Sequence, residues 1–136
     1  MSEGDREIEL IKRKKVREWL AMREGRVERA VDRPIDVTDA TFDEFIKRAE
    51  LVVVDCWAEW CPPCRMLEPV MEELARRFAG KVLFGKLNVD ENLTTVTRFS
   101  IAEIPTLLLF KGGKLVKRVV GYRPLAELET IIKTYL

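Results

Sequence analysis

Leu51-Val52-Val53-Val54-Asp55-Cys56-Trp57-Ala58-Glu59-Trp60-Cys61-Pro62-Pro63-Cys64 is the stretch that decides how this chain folds. Its first seven residues are apolar apart from Asp55 and show no polar alternation, the pattern of a central strand buried on both faces. Pro62 and Pro63 then suit the first positions of a helix, where the missing N–H would have had no partner and the fixed φ is already helical. A helix starting at Pro62 makes Cys61 its N-cap. There, unpaired backbone N–H groups and the positive end of the helix dipole favour a thiolate over a thiol. A thiolate is the species that attacks a disulfide. Cys64, one turn further in, is within reach of the mixed disulfide that forms. The spacing therefore points to a dithiol that opens and closes a disulfide, with Cys61 expected to be the more exposed and more acidic sulfur.

Paired cysteines at this spacing also bind zinc, but a tetrahedral site needs further Cys or His ligands. The chain has no His, and its third cysteine, Cys56, lies on the strand before the pair. Side chains alternate along a strand, so Cys56 is expected to point away from Asp55 as a buried, inert thiol. A Cys-x-x-Cys beside a βαβ pattern favours redox chemistry over a metal site, and an odd cysteine count does not fit a disulfide framework.

With 136 residues, 47% hydrophobic and 35% charged, the chain has room for one ordinary core under a densely charged surface. A net charge of +1 gives no electrostatic reason to expect a nucleic-acid or membrane partner. No apolar stretch is long enough to span a bilayer, and the acidic start, Met1 to Leu10, lacks the apolar core of a secretory signal. The expected location is the cytoplasm. The absence of Gln, the presence of only Asn88 and Asn92, and abundant Glu, Lys and Arg together suggest a thermophilic source.

Residues 1–33 differ from the rest. Ile8, Ile11, Trp19, Leu20, Val27 and Val31 recur at helical spacing among charges, predicting an amphipathic helical extension that Gly25 weakens or divides. Lys12 to Lys15 and Arg17 form a basic cluster, read as a solvated face or as a docking surface for an acidic partner. A second unit, residues 34–136, begins after Pro34 with a strand at Ile35–Val37. Thr41-Phe42-Asp43-Glu44 has the form of a capping box, predicting a helix from Phe42 to about Ala49. The helix after Cys61 is expected to run to Gly80 with a kink at Pro69, followed by a strand over Val82–Val89 and a short helix from Asn92 to Phe99. Thr106–Phe110 and Leu115–Val120 flank Lys111-Gly112-Gly113-Lys114, a hairpin signal, and a last helix starts near Pro124. The order βαβαβαββα predicts an α/β fold, a mixed central β-sheet flanked by helices, with the cysteine pair at the C-terminal end of a central strand.

Three motifs in order make residues 35–136 resemble the thioredoxin family: Asp55 to Cys64 looks like its active-site segment, Lys86-Leu87-Asn88-Val89-Asp90 like its third-strand motif, and Ile104-Pro105-Thr106 like its cis-proline motif. The resemblance implies a thioredoxin fold and a thiol–disulfide oxidoreductase that reduces protein disulfides. It implies Cys61 as attacking and Cys64 as resolving thiol, with no cofactor beyond the disulfide. Its partners would be disulfide-containing protein substrates and a thioredoxin-reductase-like electron donor. Asp55 matches the family's buried carboxylate; inside an apolar strand its pKa should rise, which suits a proton acceptor for Cys64. Lys86 is its expected charge partner, in a catalytic role or a structural ion pair. Trp60, Ile104 and Gly121 match the rim where partners dock, with Pro62, Pro63 and Pro105 beside them, and Trp57 packs next to the site. Pro62 departs from the family's usual glycine and also occurs in glutaredoxins and disulfide-forming oxidases. A disulfide oxidase or isomerase is therefore one competing reading, and an interaction module docking through the N-terminal helix is another.

Overall fold

A computed structural model describes residues 31–136, so the helical extension expected over residues 1–33 lies, except for its last three residues, outside the described residues. The elements run β1 (Ile35–Asp36), α1 (Phe42–Phe45), β2 (Leu51–Trp57), α2 (Pro62–Arg77), β3 (Val82–Asn88), α3 (Leu93–Arg98), β4 (Thr106–Lys111), β5 (Lys114–Val120) and α4 (Leu125–Tyr135). They build one five-stranded sheet in the order β1-β3-β2-β4-β5. β3 is parallel to both β1 and β2, while β4 is antiparallel to β2 and to β5, which is the mixed sheet the element order predicted.

The central place of β2 follows from its composition. Leu51 and Val53 join the layer beneath α2 and α4, with Leu67, Met71, Leu74, Phe84, Leu109, Leu128 and Ile132. Val52, Val54 and Cys56 face the opposite layer, with Phe42, Phe45, Ile46, Leu87, Leu108 and Phe110. A strand flanked on both edges and covered on both faces has no use for polar alternation. Asp55 is the exception, and alternation puts it on the α2 side.

The first helix is shorter than the capping-box pattern suggests. The Thr41 hydroxyl accepts a hydrogen bond from the Thr38 N–H at 3.0 Å and makes no cap to its own helix. Beyond Phe45 the bonds tighten to Lys47 N–H to Glu44 C=O and Arg48 N–H to Phe45 C=O, a turn that brings Ala49 and Leu51 into the core. α2 continues across Pro69, which removes the N–H that would have met the Arg65 carbonyl. α3 takes its cap from a distant residue: Asp39 carboxylate oxygens accept from Thr94 N–H at 3.2 Å and from Thr95 N–H at 2.9 Å. These bonds hold the Asp39 carboxyl below its ordinary range, the Thr95 side chain contributing most.

Gly85 on β3 is closely approached by Phe45 of α1. A Cβ there would stand 2.6 Å from the Phe45 ring edge and 2.7 Å from a Val37 methyl, both buried. Replacing glycine by alanine at a compatible φ normally stabilises slightly by restricting the unfolded chain; here overpacking should outweigh that gain. Gly85→Ala is expected to lower stability by about 1–3 kcal/mol, read as a lower urea midpoint at unchanged m. An unchanged midpoint would mean that Phe45 and Val37 yield without strain.

Candidate active site

β2 delivers its chain to the C-terminal edge of the sheet, and the turn Ala58 to Trp60 redirects it into α2. Cys61 is the N-cap of α2, with extended backbone, φ −102° and ψ 104°, and Pro62 and Pro63 occupy the first two helical positions. Its Sγ accepts a hydrogen bond from the Cys64 N–H at 3.3 Å. Donors at a helix N-terminus aimed at a sulfur stabilise negative charge on it. Cys61 and Cys64 are joined in a disulfide with Cα atoms 5.3 Å apart, and Cys56 is the free, buried cysteine. Burial pushes the Cys56 thiol up to about 12, and Cys56 faces the layer opposite Asp55, as alternation requires.

Exposure does not separate the two sulfur residues, contrary to expectation. Cys61 and Cys64 are both only 4% exposed, because Ala58, Trp57, Val89 and Ile104 pack around the pair. Their surroundings differ instead. Cys61 Sγ lies 3.8 Å from the Ile104 carbonyl oxygen, against the loop that carries the cis Ile104–Pro105 peptide. Cys64 faces inward and lines a chamber of about 390 Å³ with Asp55, Trp57, Glu59, Arg65, Glu68 and Lys86.

Asp55 is 6% exposed, and among the described residues neither its Oδ1 nor the Trp57 Nε1 has a hydrogen-bond partner. A chamber this polar and roomy admits water. Burial is the main cause of a pKa raised to about 7, opposed by the positive charge of Lys86. Asp55 and Lys86 are register partners on β2 and β3, yet the ion pair of Lys86, at 4.0 Å, is with Asp36 rather than with Asp55. The direct Asp55–Lys86 ion pair is therefore corrected: Lys86 acts across the chamber, its Nζ 5.4 Å from the centre of the Trp57 ring.

The other motif residues gather at the same edge. Trp60 is 66% exposed and fixed at one end by its Nε1 donating to Asp90 Oδ2 at 2.8 Å. Gly121, at φ 88°, gives its N–H to the Pro105 carbonyl at 2.7 Å, which ties the end of β5 to the proline loop. Pro62 and Pro63 are exposed on the first turn of α2. Glu68 and Arg65 were not singled out from the sequence, and Asp90 entered there only as the end of the third-strand motif. Glu68 had a signal there, since it follows Cys64 by one helical turn.

Residues 33–134 match the family profile described as Thioredoxin. The chain belongs to the thioredoxin family. It is 54% identical over 93 residues to a thioredoxin of Alicyclobacillus acidocaldarius subsp. acidocaldarius, covering 68% of this chain and 89% of that protein. A thioredoxin of Synechocystis sp. is 48% identical over 101 residues, 74% of this chain and 94% of the relative. Among solved structures, a point mutant of thioredoxin from Halobacterium salinarum NRC-1 superposes with a TM-score of 0.72 at 35% identity, covering 76% of this chain and 91% of that one. A closed cysteine pair at the N-cap of α2, in this fold, makes the chain a thiol–disulfide oxidoreductase with the electron-carrying role of a disulfide reductase. Its redox group is its own Cys61–Cys64 disulfide. Among the described residues no three His, Cys, Asp or Glu side chains are grouped to hold a metal ion, and no helix is long and apolar enough to cross a membrane.

The raised pKa of Asp55 has a definite sign for stability. The folded chain keeps a proton on Asp55 up to about pH 7, whereas an unfolded aspartate releases it near pH 4. The stability associated with that proton is complete below about pH 4 and is lost as the pH rises through about 7. Asp55→Asn, which cannot ionise, is expected to be more stable than the parent oxidised protein at pH 8 by on the order of 2–4 kcal/mol and nearly equal to it at pH 4. Urea unfolding at both pH values checks this; an equal difference at both would assign the effect to something other than ionisation.

Proposed function

We propose that the chain reduces disulfides in other proteins and is recharged by a thioredoxin-reductase-like electron donor. The observation that carries this reading is the division of labour at the pair: Cys61 under the donors of a helix N-terminus, Cys64 over the Asp55 chamber. In the reduced protein the Cys61 thiolate attacks one sulfur of a substrate disulfide, which expels the other sulfur as a thiolate and leaves a mixed disulfide. Cys64 gives its proton to the Asp55 carboxylate and attacks Cys61 Sγ. The second substrate sulfur leaves as a thiolate, and two electrons have passed from the cysteine pair to the substrate. Asp55 then returns its proton to water through the chamber.

Substrate would dock on the rim made by Trp60, Pro62, Pro63, Ile104, Pro105 and Gly121, with Trp57 and Lys86 supporting Asp55 from below. Every residue given a role lies at Asp55 or beyond, so residues 34–136 form the redox unit and residues 1–33 a separate extension. A cytoplasmic location fits the odd, buried Cys56, which has no disulfide partner. Pro62 and Pro63 put no cation between the sulfurs to hold a reduced thiolate, which favours the reductase over an oxidase or isomerase.

The order of attack is directly testable. Cys64→Ser is expected to trap substrate proteins as mixed disulfides on Cys61, because nothing remains to resolve them, whereas Cys61→Ser should trap none. Equal trapping by the two variants, seen on non-reducing gels, would contradict the assignment of Cys61 as the nucleophile.

A further inference from the structure

Two adjoining cavities meet at Asp55. The chamber under Cys64 also holds Glu59 and Arg65, and its neighbour, about 320 Å³, is lined by Arg33, Pro34, Met71, Glu72 and Arg76. Asp55, Glu68 and Lys86 line both. The remaining charges come in both signs within each cavity. Arg65 gives its Nε–H to the Glu59 carbonyl at 3.1 Å, Arg76 is paired with Glu73 at 2.7 Å, and Asp36 stands 4.0 Å from Lys86. Among the described residues, Glu68 and Lys86 are thus the one anion and one cation that share both cavities with Asp55.

We propose that Glu68 is a positioning residue of the reaction: a carboxylate at the junction of both cavities that, against Lys86, sets how readily Asp55 takes the proton leaving Cys64 and passes it to water. This rests on Asp55 being the base of the resolving step. Glu68 lies four residues beyond Cys64 in α2 and therefore on the same face of the helix, above Asp55. A charge facing a carboxyl that is itself buried in the protein acts on it more strongly than it would on a carboxyl in bulk water. The two charges act on Asp55 in opposite directions, Lys86 lowering its proton affinity and Glu68 raising it. Glu68 makes no bond to sulfur and takes no electron; the proton passes from Cys64 Sγ to Asp55 and on to water.

Glu68→Gln removes the charge at an exposed helix position with little change in size or helix propensity. In the oxidised protein, the Asp55 titration, followed by the NMR shift of its carboxyl carbon, is expected to move down by about half a pH unit. The acidic limb of the rate at which Cys64 resolves a mixed disulfide preformed on Cys61, followed in a single turnover against pH, should move with it, and Glu68→Asp should restore the parent midpoint. An Asp55 midpoint that is the same in Glu68→Gln as in the parent overturns the proposal. Asp55→Asn separates the two levels. If it abolishes the acidic limb while Glu68→Gln leaves the Asp55 midpoint in place, Glu68 alone is rejected. If the limb survives in Asp55→Asn, Asp55 is not the base and Glu68 falls with it.

Discussion

A carboxyl group held out of water beneath a disulfide is the constraint around which this molecule is arranged. Burying an ionisable group without a partner costs several kcal/mol in the charged form, so Asp55 survives in the central strand only because it is neutral up to about pH 7. The cost falls on the fold, and the return is chemical. A group that changes charge near neutrality, next to Cys64, is suited to moving one proton per turnover. The apolar strands on both sides of β2 supply the rigidity that holds this arrangement.

The two sulfurs are distinguished by electrostatics more than by access. Both are nearly buried, yet Cys61 sits at the positive end of α2 and Cys64 over a proton-binding site. One helix turn therefore separates a position that favours the anion from one that, in the mechanism proposed, governs when the second anion forms. Pro62 and Pro63 fit this scheme by fixing the first turn without adding charge, whereas the cis Ile104–Pro105 loop brings a backbone carbonyl up to Cys61 from the other side.

Much of this was legible in the sequence because it depends on local rules. The unalternating run Leu51 to Trp57 marked the central strand, Lys111-Gly112-Gly113-Lys114 the hairpin, and Pro62 the start of α2, each within about two residues of its observed place. What was not legible depends on residues far apart in the chain. The Thr41 capping pattern failed because Thr38 takes the hydroxyl, and α3 is capped by Asp39, more than fifty residues away in sequence. Trp60 is held by Asp90 across a 30-residue gap. The pairing of Asp55 with Lys86 was half right: the register places them side by side, but the long lysine side chain turns toward Asp36 and the Trp57 ring.

The direction of electron flow is the central claim, and the reduction potential of the Cys61–Cys64 couple tests it most directly. Equilibration of the full chain against glutathione at pH 7 gives that potential from the ratio of closed to open pair. General reference values are about −270 mV for thioredoxins, about −180 mV for disulfide isomerase and about −120 mV for a disulfide-forming oxidase. With no cation between the sulfurs to hold the open thiolate, the expected value lies below about −200 mV. A potential near about −120 mV would make the chain an oxidant and contradict the reductase assignment.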